Sequence, residues 1–395
     1  MAPTPTCDVV VVGGGIIGLA VAWRAAESGL GATVVDPAPG RGSTWAAAGM
    51  LAPVAEAHFG EEALAALNVA AVRAWPAFAA ALEAASGRPV HFRADGTLLV
   101  AGDPSDRSAT DRVLAFHQAI GLSAERLGAR ACRTSEPLLA PGISGGVDLP
   151  DDHQVDNRAT AVALVAAGRA AGVTFVADEV RRVEVEDGRV RGVELADGGR
   201  IATGAVVVAA GSRSGELGGL PEGARPPVRP VRGVTVRLQA GATVPRLRRT
   251  VRALVHGRTC YLVPRDDGGL VVGATMEERG SDLSVPLGGL VDLLSDARLV
   301  VPALDEYEVV ETTSGLRPGS PDNGPLVGAT GTRGLVVATG HFRNGILLAP
   351  LTSQEVLRLL VDRGVGGLDT GPFAAFRPDR FARTEDGVVN VRTGS

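Results

Sequence analysis

The chain contains no lysine, because all 39 of its basic residues are arginines. A P-loop needs a lysine to reach the phosphates of a bound nucleotide, and a pyridoxal enzyme needs one to form its Schiff base. Both classes of site are therefore excluded.

Cysteine is also scarce: Cys7, Cys132 and Cys260 lie far apart in the sequence. They form neither a CxxC pair nor the ligand spacing of a zinc site, and no HExxH motif is present. We therefore expect free thiols and no metal centre.

Long apolar runs and an excess of positive charge are missing as well. No unbroken apolar run reaches the ~18 residues typical of a membrane span, and the first residues lack the basic and apolar regions of a signal peptide. The net charge of -5 argues against nucleic acid as the main partner. We expect a cytoplasmic protein that binds neither a membrane nor nucleic acid.

The N-terminal residues "CDVVVVGGGIIGLAVAWRAAESGLGATVVDPAP" have the pattern of a βαβ unit. Residues 8–12 and 32–36 are predicted as buried parallel strands, and residues 16–28 as the helix between them. Such a unit implies a parallel sheet with helices on its faces.

Three glycines follow the first strand in the order of a dinucleotide-binding turn. Gly13 allows the tight turn, Gly15 lets the backbone approach a pyrophosphate, and Gly18 lets the helix pack closely on the strand. Asp36 ends the second strand, where its carboxylate can accept hydrogen bonds from ribose hydroxyls. An acid there disfavours the 2′-phosphate of NADP, so FAD and NAD remain.

Two further segments favour FAD over NAD. The small residues of "PGRGSTWAAAGMLAP" (39–53) let backbone amides approach a flat ring closely. In "GLVVATGHFRNGILLAP" (334–350) a buried strand, a glycine turn and a helix N-terminus follow one another. A second helix N-terminus of this kind stabilises the negative charge of a reduced flavin.

The predicted fold class is mixed α/β, a Rossmann-like FAD-binding domain with an inserted antiparallel-sheet substrate domain. Residues 1–88, 151–220 and 315–395 are predicted to form the FAD-binding domain. Residues 89–150, read as short strands and turns with a hairpin, and residues 221–314 are predicted to form the substrate-binding domain.

Six stretches together resemble the D-amino acid oxidase family of FAD-dependent amine oxidases, among them the glycine oxidases of thiamine biosynthesis. They are "VVVVGGGIIGLAVAWRAA", "STWAAAGMLAP", "CYLVPR", "LVVGATMEE", "SGLRPGSPDNGPLVG" and "ATGHFRNGILLAP". The resemblance extends from about residue 7 to about residue 365. "STWAAAGMLAP" and "ATGHFRNGILLAP" are its most specific parts.

The resemblance implies a substrate site. Arg317 matches the arginine that binds the substrate carboxylate, and Tyr261 matches the tyrosine that supports the same group. Arg343 is expected near the substrate, and Met276 and Met50 are expected to line the pocket.

The expected contacts with FAD come from both ends of the chain. They are Gly13, Gly15, Ile16, Ile17, Gly18, Asp36, Pro37, Ser43, Thr44, Ala47, Ala48, Gly49, Met50, Val180, Ala210, Gly211, Gly315, Gly340, His341, Phe342, Arg343, Asn344, Gly345 and Ile346.

The activity implied by the resemblance is oxidation of glycine by FAD and O2, with sarcosine and small D-amino acids as further substrates. The products are glyoxylate, formed through the imine, and hydrogen peroxide, with the reaction supplying thiamine thiazole synthesis. Some members of the resembled family attach the flavin to a cysteine in the C-terminal half of the chain. No cysteine follows Cys260 here, so non-covalent FAD is expected. The relatives also suggest a homo-oligomer. The alternatives are a sarcosine or D-amino acid oxidase, a dehydrogenase with another electron acceptor, a flavin-binding protein without activity, and an NAD dehydrogenase.

Overall fold

The computed structural model describes residues 6–362 and 371–381. Within these ranges the α-helices are α1 (Ile16–Glu27), α2 (Ser43–Ala46), α3 (Glu62–Ser86), α4 (Pro104–Ala119), α5 (Ala129–Ser135), α6 (Asn157–Ala170), α7 (Leu287–Val300) and α8 (Gly345–Val361).

The first ten strands are β1 (Thr6–Cys7), β2 (Val9–Val12), β3 (Ala32–Val35), β4 (Met50–Leu51), β5 (Thr97–Ala101), β6 (Glu125–Leu127), β7 (Gly145–Leu149), β8 (His153–Gln154), β9 (Thr174–Val176) and β10 (Val180–Glu186). The others are β11 (Arg189–Leu195), β12 (Arg200–Thr203), β13 (Val206–Val208), β14 (Arg229–Ala240), β15 (Thr250–Val255), β16 (Arg258–Pro264), β17 (Gly269–Gly273), β18 (Tyr307–Gly319), β19 (Leu326–Ala329) and β20 (Leu335–Thr339).

A six-stranded sheet of order β19-β20-β13-β2-β3-β9 contains the predicted βαβ unit. All its strands are parallel except β19 at one edge. The alternating side chains of β2 are buried on both faces: Val9 and Val11 join one core, and Val10 and Val12 join another. Double burial explains the continuous run of valines.

The two faces of this sheet are covered differently. Helices α1, α3, α6 and α8 pack together on one face. A four-stranded sheet of order β1-β12-β11-β10 covers the other. The expectation of helices on both faces is therefore wrong. Hairpin turns at Asp187-Gly188 and Asp197-Gly198 join β10, β11 and β12 into an antiparallel meander, and this meander covers the apolar face of the six-stranded sheet that helices were expected to cover.

An eight-stranded sheet of order β18-β14-β17-β16-β15-β5-β7-β6 forms the second large layer. Its strands are antiparallel apart from the β15–β5 pair. One face packs against α7. On the other face Val263 and Val271 pack with Ala48, which belongs to the segment that joins the two sheets.

The strands of the six-stranded sheet come from the segments predicted for the FAD-binding domain. Those of the eight-stranded sheet come from the segments predicted for the substrate-binding domain, apart from the end of β18. Strand β18 is unbroken from Tyr307 to Gly319, so it crosses the predicted boundary at residue 315. Residues 1–5, 363–370 and 382–395 of the predicted FAD-binding domain lie outside the described residues. The domain boundaries therefore remain predictions.

The segment predicted as short strands and turns contains two helices, α4 and α5. Helix α4 begins where Asp103 accepts a hydrogen bond from the Asp106 N–H at 2.8 Å and Pro104 occupies the first turn. The predicted hairpin is also wrong, since β5 pairs with β7 and β15. The sequence does contain the start signal of α4, an aspartate followed by a proline. Few of the apolar residues of α4 face the core, however, so the repeat of apolar residues that predicts a helix is weak.

Helix α3 is long and apolar enough to cross a membrane by length and composition alone, although half of its most apolar stretch is buried within the fold. It packs against α6 and α8. Trp75 donates its indole N–H to the Leu347 carbonyl at 2.9 Å. These contacts are those of a core helix.

Candidate functional site

The first glycine turn lies between β2 and α1. Gly13 has a φ of +105°, and a Cβ there would lie 2.5 Å from the Ala209 carbonyl oxygen. A Cβ at Gly18 would lie 2.0 Å from the Gly13 carbonyl oxygen. These two glycines are therefore required by the packing of the chain on itself.

Gly15 differs because the space beside it is open. A Cβ there would meet only Thr44 Oγ1, at 3.5 Å. Gly15 is the N-cap of α1 and contributes no capping side chain. The neighbouring Ile16, buried like Ile17, donates its N–H to Thr44 Oγ1 at 2.9 Å. No packing contact among the described residues requires a glycine at this position. Open space at a helix N-terminus instead fits a bound pyrophosphate.

Asp36 follows β3 at the same edge of the sheet. Its carboxylate accepts hydrogen bonds from the Gly14 N–H and the Ala38 N–H, both at 2.7 Å. A carboxylate has about four acceptor positions, so positions remain for ribose hydroxyls. The backbone bonds hold the carboxylate beside the turn.

Other predicted adenosine-side residues surround this edge. Pro37 follows Asp36, and Ala210 follows β13, with its Cα 2.9 Å from a Cβ built at Gly13. Gly211 comes next in the chain. Val180 begins β10 and packs half-buried against the core beneath β2 and β3. The carboxyl ends of β2, β3 and β13 thus meet at one edge, as expected for a ligand site of an open parallel sheet.

The segment 43–50 connects the turn to the eight-stranded sheet. Ser43 donates its hydroxyl to the Leu316 carbonyl, and Thr235 donates its hydroxyl to the Ala46 carbonyl. Asn157 donates its amide to the Thr44 carbonyl at 2.7 Å. These contacts hold the small residues Ala47, Ala48 and Gly49 between the two sheets, and Gly315 lies against Ala46.

The second glycine turn follows β20. Gly340 has a φ of +73°. Residues Phe342–Asn344 then form a short 3-10 turn, Asn344 is the N-cap of α8 without a side-chain capping bond, and Gly345 and Ile346 begin that helix. Gly319, at the end of β18, pairs with His341. The turn predicted to face the flavin therefore adjoins the strand that carries Arg317.

His341 is buried, and its Nε2 lies 3.0 Å from Thr352 Oγ1 in α8. Burial lowers the pKa of the imidazole to about 3. The ring is therefore neutral near pH 7 and is hydrogen-bonded to the helix that follows the turn, which agrees with a structural role.

Arg317 and Tyr261 occupy neighbouring parts of the eight-stranded sheet because two glycines leave room for them. A Cβ at Gly233, on β14, would lie 2.2 Å from the Arg317 guanidinium. A Cβ at Gly273, on β17, would lie 2.2 Å from the Tyr261 ring. Both large side chains thus lie over the backbone of adjacent strands.

The Arg317 guanidinium donates to the Thr275 carbonyl at 3.1 Å and to the Arg232 carbonyl at 3.4 Å. No carboxylate in residues 6–362 and 371–381 lies within ion-pair distance of it. Burial raises the pKa of Tyr261, against the positive charges of Arg317 and Arg252 and a hydrogen bond with Arg317. The pair offers an unneutralised guanidinium and a phenol to a bound carboxylate.

The two predicted pocket methionines are placed differently. Met50 is half-buried and packs with Tyr261 in the cluster around Val263. Met276 directly follows Thr275, but its side chain is 58% exposed. Its part in the pocket remains a prediction.

Arg343 is engaged by acidic residues that the sequence analysis did not identify. Its Nε lies 2.7 Å from Glu56 Oε2, and its Nη2 lies 3.4 Å from Glu61 Oε2. Glu56 also pairs with Arg252. One signal for Glu56 was present, because it is the only charged residue between Arg41 and His58.

Asp152 holds the segment that carries Glu56. Its carboxylate accepts from the Val54 N–H at 2.8 Å and the Ala55 N–H at 3.1 Å. Burial raises the pKa of Asp152 to about 7, against these two hydrogen bonds. No spacing in the sequence connects Asp152 with residues nearly 100 positions earlier.

The sequence and the fold are similar to those of known proteins. A family model described as FAD dependent oxidoreductase matches residues 8–359. Glycine oxidase of Geobacillus kaustophilus is 33% identical over 374 residues, covering 94% of this chain and 97% of that protein. Its crystal structure superposes with a TM-score of 0.83, covering 94% of this chain and 98% of that one.

A longer relative matches as well. Bifunctional protein ThiO/ThiG of Synechocystis sp. is 34% identical over 390 residues, covering 97% of this chain and 55% of that protein. This chain therefore spans little more than half the length of that relative. The family match covers both glycine turns, the segment between the sheets and the strand of Arg317. The chain belongs to the family of FAD-dependent oxidoreductases, as the sequence predicted, and FAD is its cofactor.

Proposed function

We propose that the chain oxidises glycine, and also sarcosine and small D-amino acids, with O2 as the electron acceptor. The observation that carries this proposal is Arg317, a half-buried guanidinium beside Tyr261 without a carboxylate partner among the described residues. The name of the Geobacillus relative, glycine oxidase, supports glycine as the substrate. We propose thiamine thiazole synthesis as the consumer of the product.

The residues of the site bind and orient the substrate. Arg317 binds its carboxylate with two parallel N–H donors, and Tyr261 adds a hydroxyl to the same group. This anchoring places Cα beside the segment 47–50 and the turn at Gly340, the regions that fit the flavin ring. When bound there, FAD would supply a hydride acceptor for the substrate carbon and a two-electron donor for oxygen.

The reaction needs a neutral substrate amine and not a side-chain base. For glycine, the ammonium group first loses a proton to water. The amine lone pair then forms the C=N bond as hydride leaves Cα. Water finally hydrolyses the imine to glyoxylate and ammonia. His341 is a poor base because burial holds its pKa at about 3 and Thr352 occupies its Nε2. Orientation supplies most of the acceleration.

The remaining features of the proposal concern binding mode and assembly. FAD is bound non-covalently, since Cys260 lies in the core beside α7, on the face of β16 opposite Tyr261. The protein acts in the cytoplasm as a homo-oligomer, without nucleic acid or membrane as a partner.

The proposal is tested by mixing the purified yellow protein anaerobically with glycine, sarcosine, D-alanine and L-alanine in a stopped-flow instrument. We expect glycine to bleach the flavin absorbance, and air to restore it with one hydrogen peroxide per substrate consumed. Bleaching by glycine without peroxide on reoxidation would favour a dehydrogenase. Preferential bleaching by sarcosine or D-alanine would favour the alternative oxidases, and no bleaching by any of them would refute the proposal.

A further inference from the structure

Four charged side chains form a compact group beside the candidate substrate site, which we name the Glu56 cluster: Glu56, Glu61, Arg252 and Arg343. Glu56 pairs with Arg252 through one carboxylate oxygen and with Arg343 through the other. Glu61 adds a second acid to Arg343 at 3.4 Å. Its other oxygen accepts the Asn323 amide at 2.7 Å.

The cluster is shielded from water. The side chains of Glu56, Arg252 and Arg343 are 10%, 14% and 16% exposed. Burial would raise the pKa of Glu56, but Arg252, His58 and Arg343 together hold it well below its usual range. Glu56 is therefore ionised, and with Glu61 it balances the two guanidinium charges.

The cluster lies next to the substrate anchor. Arg252 is directly opposite Tyr261 in the β15–β16 pair, so both side chains project from one face of the sheet. The charges of Arg252 and Glu56 both act on the Tyr261 phenol, as does the charge of Arg317. Arg343 reaches the cluster from the second glycine turn.

We propose that Glu56 determines substrate class at this site: by neutralising Arg343 it restricts the enzyme to amino acids with a single carboxylate. The inference rests on the proposed function. Of Arg252, Arg317 and Arg343, only Arg317 is then without a carboxylate partner among the described residues. A second substrate carboxylate would be desolvated next to Glu56 with no free cation, and such a charge is strongly disfavoured.

Glu56→Gln tests this assignment because it removes the charge and keeps the shape. Binding to the oxidised, FAD-loaded protein is measured by perturbation of the flavin spectrum with acetate and malonate, which differ by one carboxylate. We expect the wild type to bind acetate more tightly than malonate. In the variant we expect the malonate-to-acetate affinity ratio to rise at least about tenfold, because the freed Arg343 guanidinium can donate charge-assisted hydrogen bonds to the second carboxylate.

A kinetic pair provides the second readout. The ratio of kcat/KM for D-aspartate to that for D-alanine should rise in Glu56→Gln by a similar factor. Asp296→Asn is the matched control, since it removes a buried acid paired with Arg258 on the opposite face of the same sheet. The control should leave both ratios within about twofold of the wild type.

Removing one partner of a buried ion pair often impairs folding, so Glu61→Gln is made in parallel. It breaks the longer Arg343 contact and should shift both ratios in the same direction by a smaller factor. The inference is overturned if the wild type binds malonate as tightly as acetate. It is equally overturned if the folded variants keep the wild-type ratios. If no amine is oxidised, the proposed function fails, yet the acetate and malonate titration still decides the role of Glu56.

Discussion

Arg317 has no carboxylate partner among the described residues, in contrast to three other arginines of the same region. Arg232 is paired with Glu277 and Asp282, Arg265 with Asp156, and Arg343 with Glu56. A guanidinium that is half-buried and unneutralised attracts an anion, and carbonyl oxygens of Thr275 and Arg232 fix its plane. Its chemistry therefore depends on the fork of parallel donors and not on charge alone.

Arg317→Lys should lower kcat/KM for glycine by about a hundredfold, mainly through KM, because lysine keeps the charge but loses the bidentate geometry. Steady-state peroxide formation measures the effect. Arg126→Lys, at an exposed ion pair with Asp111, is the control. An unchanged KM for glycine would remove Arg317 from the substrate site.

At the scale of elements, two strand–turn–helix units carry most of the residues predicted to bind FAD. In the first, the glycines divide into two physical kinds: Gly13 and Gly18 face backbone atoms at contact distance, whereas Gly15 faces open space. In the second, Gly340 turns the chain and His341 fastens the turn to α8. The glycine motif thus contains two positions that packing of the chain requires and one position that is left open for a ligand. Only the structure distinguishes the two kinds of position.

Gly15→Val should leave the stability of the apoprotein nearly unchanged but weaken FAD binding by at least about a hundredfold, because its side chain would fill the space beside the α1 N-terminus. FAD titration and thermal unfolding of the apoprotein measure the two effects. Gly18→Val is the comparison, and it should destabilise the apoprotein by several kcal/mol through its clash with the Gly13 carbonyl. Equal stability losses in both variants would contradict the division.

His341 should make the second unit sensitive to acid. Its native pKa of about 3 lies below the ordinary value of 6.5, so the unfolded chain takes up a proton that the native chain does not. The stabilisation is present above pH 6.5 and is lost as the pH falls, at about 1.4 kcal/mol per pH unit.

We expect urea unfolding of the wild type to show this loss between about pH 6.5 and pH 5, and His341→Gln to have a shallower slope. His256→Gln removes an exposed histidine and should keep the wild-type slope. A slope unaffected by His341→Gln would show that the imidazole is protonated in the native state.

At the scale of the whole molecule, residues far apart in the chain meet between two sheets. The segment 43–50 is bonded to α6 through Asn157 and to the eight-stranded sheet through Thr235. Both glycine turns open toward this region. A cofactor that contacts all of these segments must therefore stabilise the native arrangement as a unit.

Removal of FAD should lower the free energy of unfolding, by about 2.7 kcal/mol relative to protein with free FAD at a hundred times its Kd. Thermal unfolding at increasing FAD concentration measures this linkage. FMN is the control ligand, because it lacks the adenosine half expected at the Gly13 turn and Asp36, and it should stabilise the protein less. Equal stabilisation by FMN and FAD would contradict a site at both turns.

Local signals were enough for the elements that carry the cofactor. The predicted strand at 8–12 corresponds to β2, the predicted helix at 16–28 to α1, and the predicted last buried strand to β20. Each is bounded by a glycine turn. Strands β2 and β20 are buried along their whole length and α1 along most of its length, so their apolar residues match their surroundings. Helix α4 was missed because it lies at the surface and its apolar period is weak.

The sequence by itself determined the dinucleotide turn, the second glycine turn and the family, because these depend on residues adjacent in the chain whose backbone geometry is local. Only the tertiary structure decided that, among the described residues, Arg343 is paired with acids and Arg317 is not. Each arginine lies in a short motif that shows no acidic partner, and Glu56, which neutralises Arg343, lies more than two hundred positions earlier in the chain. Charge neutralisation depends on distances in space, which no local pattern of residues records.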